Sequence, residues 1–126
     1  MAMVGSRMIS ILCALFMLTG TMAVAADRFV SGIADLPLMP ALEEIEESAL
    51  VFSKPEGRIV EVMARGAVTQ DQVRAFYNRT LPQLGWRRQA DGVWQRENEL
   101  LRFDMRREKK ELVIQFSLAP RKAPGG

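Results

Sequence analysis

Two runs near the C-terminal end place apolar side chains at every second position. In the first, Leu101, Phe103 and Met105 alternate with Arg102, Asp104 and Arg106. In the second, Leu112, Ile114, Phe116 and Leu118 alternate with Val113, Gln115 and Ser117. A period of two sends successive side chains to opposite faces of a strand, so Leu100–Arg106 and Glu111–Leu118 read as an antiparallel pair with one apolar face. Matching those faces sets Met105 opposite Leu112 and Arg106 opposite Glu111, with Arg107-Glu108-Lys109-Lys110 as an exposed charged tip. Such a face has to be covered by another element before it is stable.

Thr69 to Leu84 supplies a cover. Thr69 with Gln72 three residues later forms a capping box, and Val73, Phe76, Tyr77, Leu81 and Leu84 recur at helical spacing as one apolar stripe. Pro82 ends the regular helix near Thr80, and Gly85 gives a left-handed exit.

Two further hairpins flank this helix. Ala49–Lys54 and Arg58–Arg65 read as strands joined by a three-residue loop, Pro55-Glu56-Gly57. That loop places Phe52 opposite Val60 and Leu50 opposite Val62, on the apolar face. The other face of this pair carries Val51, Ser53, Ile59, Glu61 and Met63, a mixture that invites a cover. The segment before it, with Phe29, Ile33 and Leu36, is the nearest candidate. After the helix, Trp86–Gln89 and Val93–Glu97 pair around Ala90-Asp91-Gly92, with Arg88 opposite Trp94 and Trp86 opposite Arg96. Both indoles then bury against the helix under arginine stems. The alternative is an aromatic–basic platform for a ligand or a single nucleic-acid strand.

The chain begins with an export pattern. Arg7 is the only charge in the first 26 residues, an apolar run covers Ile9–Leu18, and small residues lead into Ala23-Val24-Ala25-Ala26 before Asp27. These are the three parts of a secretory signal peptide, expected over residues 1–26 with cleavage after Ala25 or Ala26. Left uncleaved, residues 9–26 would be the only membrane contact, as an anchor just long enough to cross a bilayer. Residues 27–48 read as a lead-in, with one or two helical turns over Ala41–Ser48 started by Pro40. Residues 49–118 form a single domain and residues 119–126 a disordered tail.

Composition excludes several chemistries. The only cysteine is Cys13, inside the export segment, and histidine is absent. The exported part therefore has no thiol nucleophile, no imidazole base, no disulfide and none of the usual ligands of zinc, copper or haem. No cofactor is expected. A carboxylate site for a hard cation, drawn from Glu43, Glu44, Glu46 and Glu47, is the one metal chemistry left open. Charge is uneven: Asp27–Glu61 holds eight acidic and three basic residues, Val62–Gly126 thirteen basic and seven acidic. The near balance of the whole gives no field for nucleic acid.

The expected fold is α+β: one antiparallel sheet in the order strand–strand–helix–strand–strand–strand–strand, with the helix against one face. Leu38-Met39-Pro40, the Pro55-Glu56-Gly57 hairpin, and Val73, Phe76-Tyr77, Leu81-Pro82 and Leu84-Gly85-Trp86 resemble a group of small bacterial exported proteins of unknown function. In that group a helix ending in "FY…LP.LGW" precedes antiparallel strands. The resemblance spans roughly residues 35–118. It implies an envelope location and an α+β fold, and no catalytic or binding residues.

The functional expectation is a non-enzymatic exported protein that binds another envelope component. Its interaction surface is the sheet face carrying Val51, Ile59, Met63, Arg102 and Arg106. Two other classes stay open: a small-ligand binding or sensing domain using space between helix and sheet beside Trp86, Phe103 and Tyr77, and a hydrolase built on two carboxylates.

Overall fold

A computed structural model describes residues 28–121, so the export segment expected over residues 1–26 lies outside the described residues. The fold is α+β, an antiparallel sheet with one helix. Its strands are β1 (Glu43–Glu44), β2 (Leu50–Lys54), β3 (Gly57–Gly66), β4 (Arg87–Ala90), β5 (Val93–Arg96), β6 (Glu99–Glu108) and β7 (Glu111–Pro120). Helix α1 (Gln70–Thr80) and a 3₁₀ turn (Leu81–Leu84) stand between β3 and β4. Across the sheet the order is β1-β3-β7-β6-β5-β4, with β2 sharing the β1 edge of β3. Every pairing is antiparallel, so β3 and β4 point the same way and α1 connects them across three intervening strands.

The helix starts and stops for the reasons its sequence carries. Thr69 accepts from the Gln72 amide at 3.1 Å, and the Gln72 side chain accepts from the Thr69 amide at 2.9 Å. Pro82 cannot extend an α-helix, so the last turn tightens, and Gly85 leaves it at φ 87°. Val73, Tyr77 and Leu81 are buried in one cluster with Val60, Val62 and Ala64 of β3, Leu101 of β6 and Leu112, Ile114, Phe116 and Leu118 of β7. The Tyr77 ring lies 4.8 Å from Phe103 and 5.8 Å from Phe116, which ties the helix to β6 and β7.

Several sequence expectations are corrected, among them the Ala90-Asp91-Gly92 loop: Ala90 pairs with Val93, which leaves a two-residue Asp91-Gly92 turn and a register shift between Arg88 and Ala90 that keeps Arg88 opposite Trp94. The β2–β3 turn has two residues, not three: Lys54 pairs with Gly57, Phe52 with Ile59, Val51 with Val60 and Leu50 with Glu61. A shift by one residue exchanges the faces of a strand. Leu50 and Phe52, expected in the core, therefore lie on the opposite face, and Val51 lies on the core side. The β6–β7 register is also displaced, with Met105 opposite Ile114 and Arg106 opposite Val113. That shift is by two residues, so every side chain keeps its expected face. Its turn is Lys109-Lys110 alone.

The lead-in does not cover the outer face. Val30, Ile33, Leu36, Leu38 and Leu42 enter the same core as the helix. Residues 28–48 are thus part of the packed unit rather than a preface to it. The Tyr77 hydroxyl fastens them, donating to the Pro37 carbonyl at 2.9 Å and accepting from the Met39 amide at 3.3 Å. Arg28 also donates to the Pro40 and Leu42 carbonyls. Finally, Ala41–Ser48 is not helical. Four glutamates would repel on adjacent helical turns, whereas the edge of β3 offers backbone partners. Glu43 and Glu44 pair with Arg65 and Ala64. A turn at Glu46–Glu47 follows, with Glu47 at φ 61°. Ser48 then closes the interrupted edge: its hydroxyl donates to the Met63 carbonyl at 3.2 Å and accepts from the Met63 amide at 3.1 Å. At the other end, Ala119 and Pro120 of the expected tail complete β7, and residues 122–126 lie outside the described residues.

Candidate functional site

The register builds the outer face in rows. Arg65 of β3, Val113 of β7 and Arg106 of β6 form one row; Met63, Gln115 and Asp104 the next; Glu61, Ser117 and Arg102 a third, extended by Val93 of β5. Neighbours along a row have Cβ atoms about 4.5–5.5 Å apart, close enough to act as one surface. Ile59, with Phe52 beside it, continues this face towards the β2 edge.

Of the five surface residues expected from sequence, Ile59, Met63, Arg102 and Arg106 share this face, spread over its rows from Ile59 at one end to Arg106 at the other. Val51 is not: it faces the other side, paired with Val60.

Val113 is almost fully buried although it lies on this outer face. Arg65 and Arg106 flank it across the two neighbouring strands. A hollow of about 70 Å³ opens beside it, lined by Met63, Asp104, Met105, Arg106, Val113 and Gln115. Arg106 is held by Glu108 at 3.0 Å. Arg102 is exposed and makes no ion pair among the described residues.

The sheet edge next to this face is apolar. Leu50, Val51 and Phe52 are exposed at 48%, 55% and 52%, and Phe29 at 50%. No other described strand pairs with the outer edge of β2. The lead-in passes tightly against its inner side, since a Cβ on Gly32 would stand 3.1 Å from a Val51 methyl. Sequence reasoning missed Leu50 and Phe52 as surface groups. The signal was ambiguous, because Lys-Pro-Glu-Gly fits a two- or a three-residue turn and only the strand neighbours decide.

The other candidate sites look different. Trp86 and Trp94 are both buried, so they form no open stacking platform. Arg96 lies over the Trp86 ring at 4.3 Å, and Arg88 pairs with Trp94 across the strands. The Trp86 Nε1 has no hydrogen-bond partner among the described residues. Between helix and sheet the space beside Tyr77 and Phe103 is filled by rings: Phe76–Tyr77 at 4.9 Å, Tyr77–Phe103 at 4.8 Å and Phe103–Phe116 at 5.4 Å.

The glutamates of the lead-in do not converge. The Glu44 carboxylate accepts from the Ser31 hydroxyl at 2.6 Å and from the Ser31 amide. Among the described residues no three or more histidine, cysteine, aspartate or glutamate side chains are grouped as a metal site. Comparison with known protein families, with curated proteins and with solved structures gives no match for this chain.

Proposed function

We propose that this chain is an exported, non-catalytic binding protein of the cell envelope, and that its outer sheet face docks another envelope protein. The observation that carries the reading is the row pattern of that face. Met63 and the hollow beside Val113 offer apolar contact; Arg106, paired with Glu108, lines the hollow, and exposed Arg102 stands on the same strand beyond Asp104. Apolar contact with arginine beside it is a composition that protein interfaces favour, because an arginine fork pairs with carboxylates while its stem packs. The partner surface is therefore one that presents an apolar side chain for the hollow and a carboxylate for Arg102, with a second one that competes with Glu108 for Arg106. Export rests on the N-terminal pattern of Arg7, the apolar run and the Ala-x-Ala end.

The test compares the exported protein with an Arg102→Glu/Arg106→Glu variant, both crosslinked in intact cells and analysed by mass. The reading expects one envelope protein to be joined to the native chain and lost from the reversed one, with unchanged circular dichroism. It also expects a mature start at Ala26 or Asp27. A crosslinking pattern indifferent to the two reversals sinks the docking face. A chain found intact in the cytosol sinks the location.

A further inference from the structure

We propose that two copies of this chain pair through the outer edge of β2, antiparallel and about a two-fold axis through Val51, so that both sheets join into one. This goes beyond docking on the outer face and uses the β2 edge that adjoins it.

Three observations converge on it. First, β2 is an edge strand whose outward backbone groups meet no other strand of the described chain. Such an edge is a template for another strand, and proteins normally blunt it with charge, proline or a bulge. Here the five residues Leu50–Lys54 instead place three successive apolar side chains, each about half exposed, along the edge. Second, the strand is complementary to itself. A two-fold axis through Val51 sets Leu50 opposite the Phe52 of the other copy, twice, and Val51 opposite Val51. Leu50 and Phe52 share the outer face in one copy, as their partners Glu61 and Ile59 in β3 show, so the cross-copy pairs fall on one face as well. Exposed apolar area is covered on both faces of the strand without a clash of pattern.

Third, Lys54 at the end of the strand and Glu47 before its start carry opposite charges, while Glu56, two residues beyond Lys54, falls opposite Glu46 and offsets part of that match. Lys54 stands at one end and the Glu46–Glu47 turn precedes the other. Antiparallel pairing brings Lys54 of each copy opposite Ser48 of its partner, next to Glu47. A strand running the other way would set like charges together. The rule that edges are defended also fits: the remainder of this side of the sheet is blocked by the Glu46–Glu47 turn and the Ser48 plug, which leaves a gap only as long as β2. The resulting dimer shows two outer faces on the same side, because an axis perpendicular to a sheet does not turn it over.

The experiment is sedimentation equilibrium of the exported protein over a wide concentration range, with three variants. The native chain should move from monomer to twice its mass. Phe52→Glu should be monomeric throughout with an unchanged far-ultraviolet spectrum, since this side chain is half exposed and its loss costs the fold little. Lys54→Glu should weaken association about tenfold, and adding Glu47→Lys should restore it, because the two reversals recreate the attraction. A native chain that stays monomeric at its solubility limit overturns the proposal. So does a dimer that Phe52→Glu leaves intact, or one that the second reversal fails to restore. A β2 edge that crosslinks only to a foreign protein would replace the second copy with another strand. None of these outcomes involves Arg102 or Arg106, so the edge and the face fail separately.

Discussion

Arg96 grips Asp35 with both terminal nitrogens across 61 residues of sequence, joining β5 to the lead-in turn. The same Nη1 donates to the Leu84 carbonyl at 3.1 Å, and the guanidinium plane lies over Trp86 at 4.3 Å. One side chain therefore closes the 3₁₀ turn, covers a buried indole and anchors the lead-in. Arginine suits all three tasks because its planar fork pairs a carboxylate while its face stacks on a ring.

This contact has a pH signature. The Arg96 hydrogen bonds hold the Asp35 carboxyl below the usual carboxylate value, against a smaller opposing effect of burial. A carboxyl with a depressed folded pKa stabilises the fold above its unfolded pKa of about 3.9 and loses that contribution as pH falls through the folded value. Asp35→Asn should thus cost about 1 kcal/mol at neutral pH, a small figure because 47% of the Asp35 side chain is in water. Urea unfolding of both proteins should show the gap closing as pH falls below about 4. A gap independent of pH would mean that the ion pair contributes nothing.

Tyr77→Phe tests how the lead-in is held. Burial pushes the Tyr77 phenol above its usual pKa, so it stays a neutral donor throughout the working range. Removing the hydroxyl leaves the Pro37 carbonyl and the Met39 amide without their partner, at a cost of about 1–3 kcal/mol. Hydrogen exchange should quicken at Met39 before it quickens in β6 or β7. Unchanged protection at Met39 would show that the Tyr77 hydroxyl does not hold the lead-in.

Core and edge aromatics should separate cleanly. Phe116 is fully buried among Tyr77 and Phe103, so Phe116→Ala should cost about 3–5 kcal/mol by leaving a cavity. Phe52→Ala, half exposed on the edge, should change monomer stability by less than about 0.5 kcal/mol. Thermal unfolding at low protein concentration measures both. Equal losses would mean that β2 is packed from both sides.

What the sequence disclosed follows from parity. In β6 and β7 alternation over most of each strand marks the faces, so even a register displaced by two residues leaves Leu101, Phe103 and Met105 pointing to the core. In β2 three apolar residues run together, Leu50-Val51-Phe52, and no alternation fixes which face is inward. A turn shorter by one residue then reverses the strand. The helix was legible to its ends because Thr69, Gln72, Pro82 and Gly85 act through neighbouring backbone. The lead-in was not, because the contacts that fold it are distant in sequence: Tyr77 on Pro37, Arg96 on Asp35. For the candidate face, Ile59, Met63, Arg102 and Arg106 were found by alternation, and Val51 was misplaced by the same turn.

Two glycines give the sharpest test of the packing, because they look alike in sequence and differ in cause. Gly85 sits at φ 87° with open space around it; an added Cβ would come no nearer than 3.6 Å to Arg96 Cδ. Gly85→Ala therefore pays only for a left-handed backbone, about 1 kcal/mol. Gly66 has no such backbone demand, but a Cβ there would stand 2.2 Å from the Ala41 carbonyl oxygen. That oxygen belongs to the main chain just before the buried Leu42, so it cannot swing aside as a side chain would. Gly66→Ala should cost about 3 kcal/mol or more, at the upper end of what overpacking does. The damage should be local, with lost protection at Leu42 and along β1 and the end of β3. Gly85→Asn should recover most of the Gly85→Ala loss, since asparagine tolerates the left-handed region; Gly66→Asn should recover none. Denaturant midpoints for the four variants measure both effects. If Gly66→Ala proved as mild as Gly85→Ala, the lead-in would not lie against β3 at this point.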